Sequence, residues 1–179
     1  GIGKSRLRHE FFRRQELRGQ PLTVLLGRGD PLTIGSPYGA LSQALRQSCG
    51  LSASDAGDAA RATLQGHVAA VLHFEDGGIP GHAAASLRRV SAFLGELVGL
   101  RFPDDHSMQL RVARSDPKIM GDQVAQALLD YLGAIAQPKP LVMVLEDVQW
   151  VDAQSLKLIE VALRELRPPL LVLALGRPE

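Results

Sequence analysis

The sequence predicts an α/β protein whose parallel sheet is drawn from both ends of the chain, with a mainly helical stretch between them. Two observations carry this. Leu141-Val142-Met143-Val144-Leu145 and Leu170 to Leu175 are unbroken apolar runs, too short for helices and apolar on both faces, as strands covered by helices on both sides must be. Helical and strand-like segments also alternate at both ends, whereas the middle carries only helical spacings.

Taken in order, Gly1-Ile2-Gly3-Lys4-Ser5 reads as a loop feeding a helix that carries Leu7, Phe11, Phe12 and Leu17. Gly19 and Pro21 end that helix, and Leu22-Thr23-Val24-Leu25-Leu26 follows as a short strand. Gly27 to Pro37 is rich in turn residues and reads as a loop; Tyr38, Leu41 and Leu45 then set a helical spacing. Leu64, Val68, Val71 and Leu72 form one apolar face, and Leu87, Val90, Phe93, Leu94, Leu97 and Val98 another, with Gly77-Gly78 and Pro80-Gly81 as the break. Residues 101–117 are polar and contain Pro103 and Pro117, which predicts an irregular connection. Val124, Leu128, Tyr131, Leu132 and Ile135 rebuild a helix that Gln137-Pro138-Lys139-Pro140 stops. After the strand at 141–145 come two acids, Glu146 and Asp147. Asp152 is placed to cap a helix carrying Leu156, Ile159, Leu163 and Leu166, which Arg167-Pro168-Pro169 ends.

The composition bounds the function. At 179 residues, with 45% hydrophobic and 22% charged, the chain suits one globular domain and excludes a disordered or collagen-like one. Twenty Lys and Arg against nineteen Asp and Glu leave a charge of +1, so no bulk field recruits nucleic acid or anionic lipid. Cys49 is the single cysteine, which excludes an internal disulfide and a multi-cysteine metal site; it fits a reducing compartment and reads as a buried, inert thiol. The apolar runs fall far below the ~20 residues of a spanning helix, so no membrane partner and a cytoplasmic location are expected. His9, His67, His73, His82 and His106 show no metal-ligand spacing.

The strongest chemical signal is Gly3-Lys4-Ser5 ahead of a helix. In the pattern G-x-x-x-x-G-K-S/T, backbone N–H groups and the helix N-terminus surround a phosphate chain, the lysine reaches its outer oxygens, and the hydroxyl holds Mg²⁺. Gly1 and Ile2 occupy variable positions of that pattern, and its last five positions are present. Such a loop needs a second element, an acid at the end of a neighbouring buried strand, and Leu141 to Leu145 followed by Glu146-Asp147 supplies it. Arg28-Gly29-Asp30 spells an adhesion tripeptide and is read as coincidence. Ser5 is not a hydrolase nucleophile, because no G-x-S-x-G turn surrounds it.

Gly1-Ile2-Gly3-Lys4-Ser5-Arg6-Leu7, then Leu145-Glu146-Asp147-Val148-Gln149-Trp150-Val151-Asp152, then Leu173-Ala174-Leu175-Gly176-Arg177-Pro178-Glu179 resemble the signal-transduction ATPases of the AAA and STAND type. The resemblance runs across the whole chain and is nearest to modules attached to bacterial serine/threonine kinases. It implies a three-layer P-loop NTPase fold, here a partial domain over 1–179 that starts inside the Walker A motif, with the N-terminal central strand missing. A mainly helical insertion at 28–118 and no lid subdomain are expected. Strands at 170–175, 141–146 and 22–27 should lie side by side in that order, parallel, with one flank of the sheet open.

The resemblance implies ATP and Mg²⁺ as cofactors. Gly1, Ile2, Gly3, Lys4, Ser5 and Arg6 would bind the nucleotide, Ser5 and Glu146 the metal, and Asp147 would polarise water, with Glu146 as the other member of the Walker B pair. The family commonly places Asp before Glu, and this chain reverses them. Arg177 would sense the terminal phosphate. Trp150 is expected to pack under the acidic loop. The implied activity is Mg²⁺-dependent ATP binding and slow hydrolysis driving a conformational switch, with a non-hydrolysing nucleotide-gated scaffold as the alternative. Its candidate partners are other domains of a parent polypeptide, among them a kinase domain and helical repeats, and further copies of the chain. The spatial expectation is that positions 4 and 5 face 146 and 147 across a gap sized for a triphosphate and its magnesium.

Overall fold

The computed structural model describes residues 3–33, 36–72, 80–105, 107–167 and 169–177. Three strands, β1 (Thr23–Arg28), β2 (Leu141–Glu146) and β3 (Leu170–Leu175), form one parallel sheet in the order β1-β2-β3. That is the expected order. β2 is central and its first five residues are buried, which explains why its sequence is apolar without alternation. Among the described residues β3 pairs with β2 on one edge and has no strand on the other.

The layers follow from which face each side chain takes. On one face Val142, Val144 and Leu175 pack with Leu26 and Leu173 against Phe11 and Phe12 of α1 (Lys4–Leu17), whose rings meet edge to face. On the other face Leu25, Leu141, Met143 and Leu145 enter the main core, a continuous apolar body shared with the helices. Helices therefore cover both faces of the sheet, as expected for a three-layer α/β protein.

The chain between β1 and β2 is helical: α2 (Gly39–Ser48), α3 (Gly57–Val71), α4 (Pro80–Leu97), α5 (Met108–Ser115) and α6 (Pro117–Ala136). Leu64 and Val68 of α3, Phe93 and Leu94 of α4 and Leu128 and Leu132 of α6 are buried together, which accounts for the apolar spacings read in the sequence. Cys49 follows α2 and is buried, and that burial pushes its thiol pKa up, in keeping with an inert role. After β2 comes α7 (Ala153–Glu165), which packs on α6 and α2.

Four local expectations need correction. Residues 101–117 are not wholly irregular, since α5 lies within them. The hydroxyl of Ser107 caps it by accepting the Leu110 N–H at 3.2 Å, and Leu110 and Ala113, one turn apart, are buried. Polar exposed positions hid that short periodicity. Pro117 likewise opens α6 rather than breaking a segment: it sits at the start, where its missing N–H costs nothing, behind an Asp116 cap. Pro80 begins α4 in the same way, while Gly77 and Gly78 lie outside the described residues. The first strand runs one residue later than the expected 22–27, starting at Thr23 and taking in Arg28, because its register with β2 places Arg28 beside Glu146.

Candidate functional site

All three strands point their C-terminal ends at one edge of the molecule, and α1 begins there too. Gly3 precedes α1 with φ 138°, a conformation that L side chains rarely adopt, and its carbonyl accepts the first helical hydrogen bond from Leu7 N–H at 2.8 Å. The turn that this glycine permits delivers Lys4 and Ser5 in the first turn of the helix. Gly1 and Ile2 lie outside the described residues.

The acids sit opposite. Glu146 is the last residue of β2; Asp147 follows with φ 49° and ψ 50° and opens the 3-10 turn Val148–Trp150. A non-glycine residue held in the left-handed region is strained, and such strain is characteristic of functional turns. The turn is fixed from below. Gly29 donates its N–H to the Glu146 carbonyl at 2.9 Å, and a Cβ at Gly29 would stand 2.6 Å from the Trp150 carbonyl carbon and 2.7 Å from Val151 N. Only glycine fits there. From the other side the Gln149 side chain accepts the Arg177 N–H at 3.3 Å, tying the end of β3 to the same turn.

These elements bring the predicted residues together. Lys4 Nζ donates to Asp147 Oδ1 at 2.8 Å across 143 positions of sequence, and Arg28 Nε donates to Asp147 Oδ2 at 3.2 Å. Arg8, one turn along α1 from Lys4, pairs with Glu146. Lys4, Ser5, Arg8, Arg28, Glu146, Asp147 and Arg177 line a cavity of about 280 Å³, closed by Leu175. Hydrogen bonding to Lys4 leads in holding the Asp147 carboxyl below its usual range; burial opposes it, and the Lys4 charge together with Arg28 tips the balance downward. Arg6 does not line the cavity; its side chain is exposed.

Two expectations about the site change. The motifs face one another as expected, but no open gap separates them: Lys4 touches Asp147, and a ligand between them must displace that pair. Trp150 is not buried beneath the acidic loop; it is 41% exposed and lines the neighbouring cavity together with Asp147 and Gln149. Asp152 caps α7 as expected, with the Ser155 N–H donating to Oδ1 at 2.8 Å.

Sequence reasoning missed Arg8 and Arg28. The first was legible, since Lys4 and Arg8 are four apart on one helix face. The second was not: its place beside Glu146 depends on sheet register.

Chemically the cavity offers four basic side chains, two carboxylates and a hydroxyl, around a helix N-terminus whose first-turn N–H groups lack intrahelical acceptors. That set suits a phosphate chain together with a hard divalent cation, which takes oxygen donors such as Ser5 and Glu146. Arg28, Asp147 and Arg177 also line a neighbouring cavity of about 720 Å³, which lies beside the smaller one.

The family model described as AAA ATPase domain matches residues 1–173. The chain is 31% identical over 179 residues to the Rhizobium meliloti (strain 1021) protein named Uncharacterized protein R02095, covering 99% of this chain and 15% of that one. No solved structure matches. No helix among the described residues is long and apolar enough to cross a membrane.

Proposed function

The chain belongs to the AAA ATPase domain family, and from that premise we propose that it binds ATP with Mg²⁺ at the Lys4–Asp147 cleft and hydrolyses it slowly to drive a conformational switch in a larger signalling protein. The observation that carries this reading is the meeting of Lys4 with Asp147 at 2.8 Å, beside Ser5 and Glu146.

A bound Mg²⁺ triphosphate supplies the phosphoanhydride bond and a Lewis acid; the rest is the work of this chain. The Lys4 ammonium and the first-turn N–H groups of α1 oppose phosphate charge. Ser5 Oγ and the Glu146 carboxylate are the oxygen donors for the metal. Asp147 is left to accept a proton from water at one of its carboxylate oxygens, the proton then lying on Asp147. Arg177, carried at the end of β3 into the same cavity, is the candidate contact to the terminal phosphate.

The switch follows from connectivity. The acidic turn is joined to β1 through Gly29 and to β3 through Gln149, so a ligand that parts Lys4 from Asp147 pulls on both neighbouring strands. The role as one module among kinase, helical-repeat or other domains in the cytoplasm, as in STAND-type regulators, is supported by the resemblance and by a relative far longer than this chain.

One observation favours the second reading, a nucleotide-gated scaffold without turnover: each acid is already paired with cations, Asp147 with Lys4 and Arg28 and Glu146 with Arg8. A carboxylate so held is a weak proton acceptor. Phosphate release separates the two. Steady release from ATP that is lost in Asp147→Asn, with ATP still bound, is the enzyme's result; tight ATP binding with no release from the unaltered protein is the scaffold's.

A further inference from the structure

We propose that Arg28 is an exchange residue, pairing with Asp147 in the arrangement seen here and moving to the terminal phosphate when a nucleoside triphosphate enters, so that the site distinguishes triphosphate from diphosphate through β1. The inference rests on the proposed nucleotide site and goes beyond it, because Arg28 belongs to neither sequence motif.

Three features of the residue lead there. Its backbone is fixed: Arg28 ends β1 opposite Glu146, its N–H donates to Gln43 Oε1 at 3.0 Å, and the next residue is wedged beneath the acidic turn. Its side chain is free by contrast, 62% exposed and held to Asp147 by one hydrogen bond of 3.2 Å. An ion pair this exposed contributes little to stability, so structural need does not explain it. Its position is central, for Arg28 lines the small cavity with Lys4 and Ser5 and also two larger neighbouring cavities of about 650 and 720 Å³.

A rigid stem with a mobile guanidinium between a carboxylate and an anion site exchanges partners readily. Phosphate oxygens carry more charge than one carboxylate and accept the planar fork in a bidentate fashion. When Arg28 leaves Asp147 for phosphate, Oδ2 of Asp147 loses its partner and becomes available to water, while Gln43 and α2 register the change through the backbone of Arg28. Lys4 sits on the other oxygen, Oδ1, so the two cations need not compete for one place on the acid.

The test is calorimetric titration of the full chain with ATP and with ADP, each with Mg²⁺, for the unaltered protein, Arg28→Gln, Arg28→Lys and Lys4→Ala. Loss of one charge-assisted contact to phosphate corresponds to about tenfold in affinity. Arg28→Gln is expected to weaken ATP by about tenfold and ADP by less than about threefold, and Arg28→Lys to recover part of the preference for ATP. Equal changes for the two nucleotides, no change for either, or no recovery by lysine overturns the inference. If Lys4→Ala abolishes binding while Arg28→Gln behaves as the unaltered protein, the exchange alone is wrong. If the unaltered protein binds neither nucleotide, the proposed site and the exchange fall together.

Discussion

Asp152 accepts the backbone N–H of Tyr38 at 2.9 Å, so a residue that caps its own helix also holds the entrance to another helix 114 positions earlier. The same carboxylate takes the N–H and hydroxyl of Ser155 at 2.8 and 2.7 Å and the N–H of Ala40 at 3.4 Å. One buried side chain thereby serves the first turns of both α2 and α7. Tyr38 adopts φ 64° to present its N–H, a conformation that costs energy and persists because Asp152 rewards it.

Replacing Asp152 by alanine removes both caps. A single cap is worth about 0.5–2 kcal/mol, so Asp152→Ala is expected to lose about 2–3 kcal/mol of stability, measured as a lower urea midpoint with an unchanged slope. A loss near zero would mean that α2 and α7 are fixed by packing alone.

The same residue sets a pH dependence. Burial works to raise the Asp152 pKa, but hydrogen bonds from Ser155, Tyr38 and Ala40 together outweigh it and hold the group below its ordinary 3.8. With the folded value depressed, the unfolded chain takes up the proton first as the solution is acidified. The stabilisation is complete above about pH 4–5 and is lost as pH falls through the folded value. Asp152→Asn should flatten that part of the stability curve; an unchanged curve would assign acid sensitivity to other groups.

Gly29 tests the seat of the acidic turn. Any side chain at this position meets the backbone of Trp150 and Val151, so Gly29→Ala must lift the turn, at a cost of about 1–3 kcal/mol. The predicted signature is a lower melting temperature together with weaker ATP binding. Normal affinity in a folded Gly29→Ala protein would uncouple β1 from the site.

Trp150, the chain's single tryptophan, is a built-in reporter. Its backbone N–H donates to the Asp147 carbonyl at 2.8 Å, and the residue is partly in solvent. ATP that parts Lys4 from Asp147 is expected to change the intensity of Trp150 fluorescence, with no change in Lys4→Ala. A constant signal at saturating ATP would show that the turn stays still.

Much of this arrangement is legible in the sequence because its signals are local. The apolar run of β2 declares a strand buried on both faces, whereas the equally apolar β3 lies at the sheet edge with Leu171 48% exposed and only Leu175 buried. Asp152 stands where a cap belongs, and Gly3-Lys4-Ser5 announces a turn into a helix. What escapes local reading depends on long-range placement. Arg28 meets Asp147 only because β1 and β2 align in one register, and Asp152 reaches Tyr38 only because α2 and α7 start side by side. α5 escaped for another reason: eight residues, two of them buried, are too few for a periodic pattern to stand out.

ATP binding by Lys4→Ala tests the central claim most directly, because the Lys4–Asp147 pair is partly exposed and its removal should change stability by only about 0–1 kcal/mol. Titrated with Mg²⁺ and ATP, the unaltered protein is predicted to bind saturably and a folded Lys4→Ala protein to lose at least about a hundredfold in affinity, as expected when the cation at the phosphates is removed. A folded Lys4→Ala protein that binds ATP as tightly as the unaltered one would contradict the assignment of this cleft.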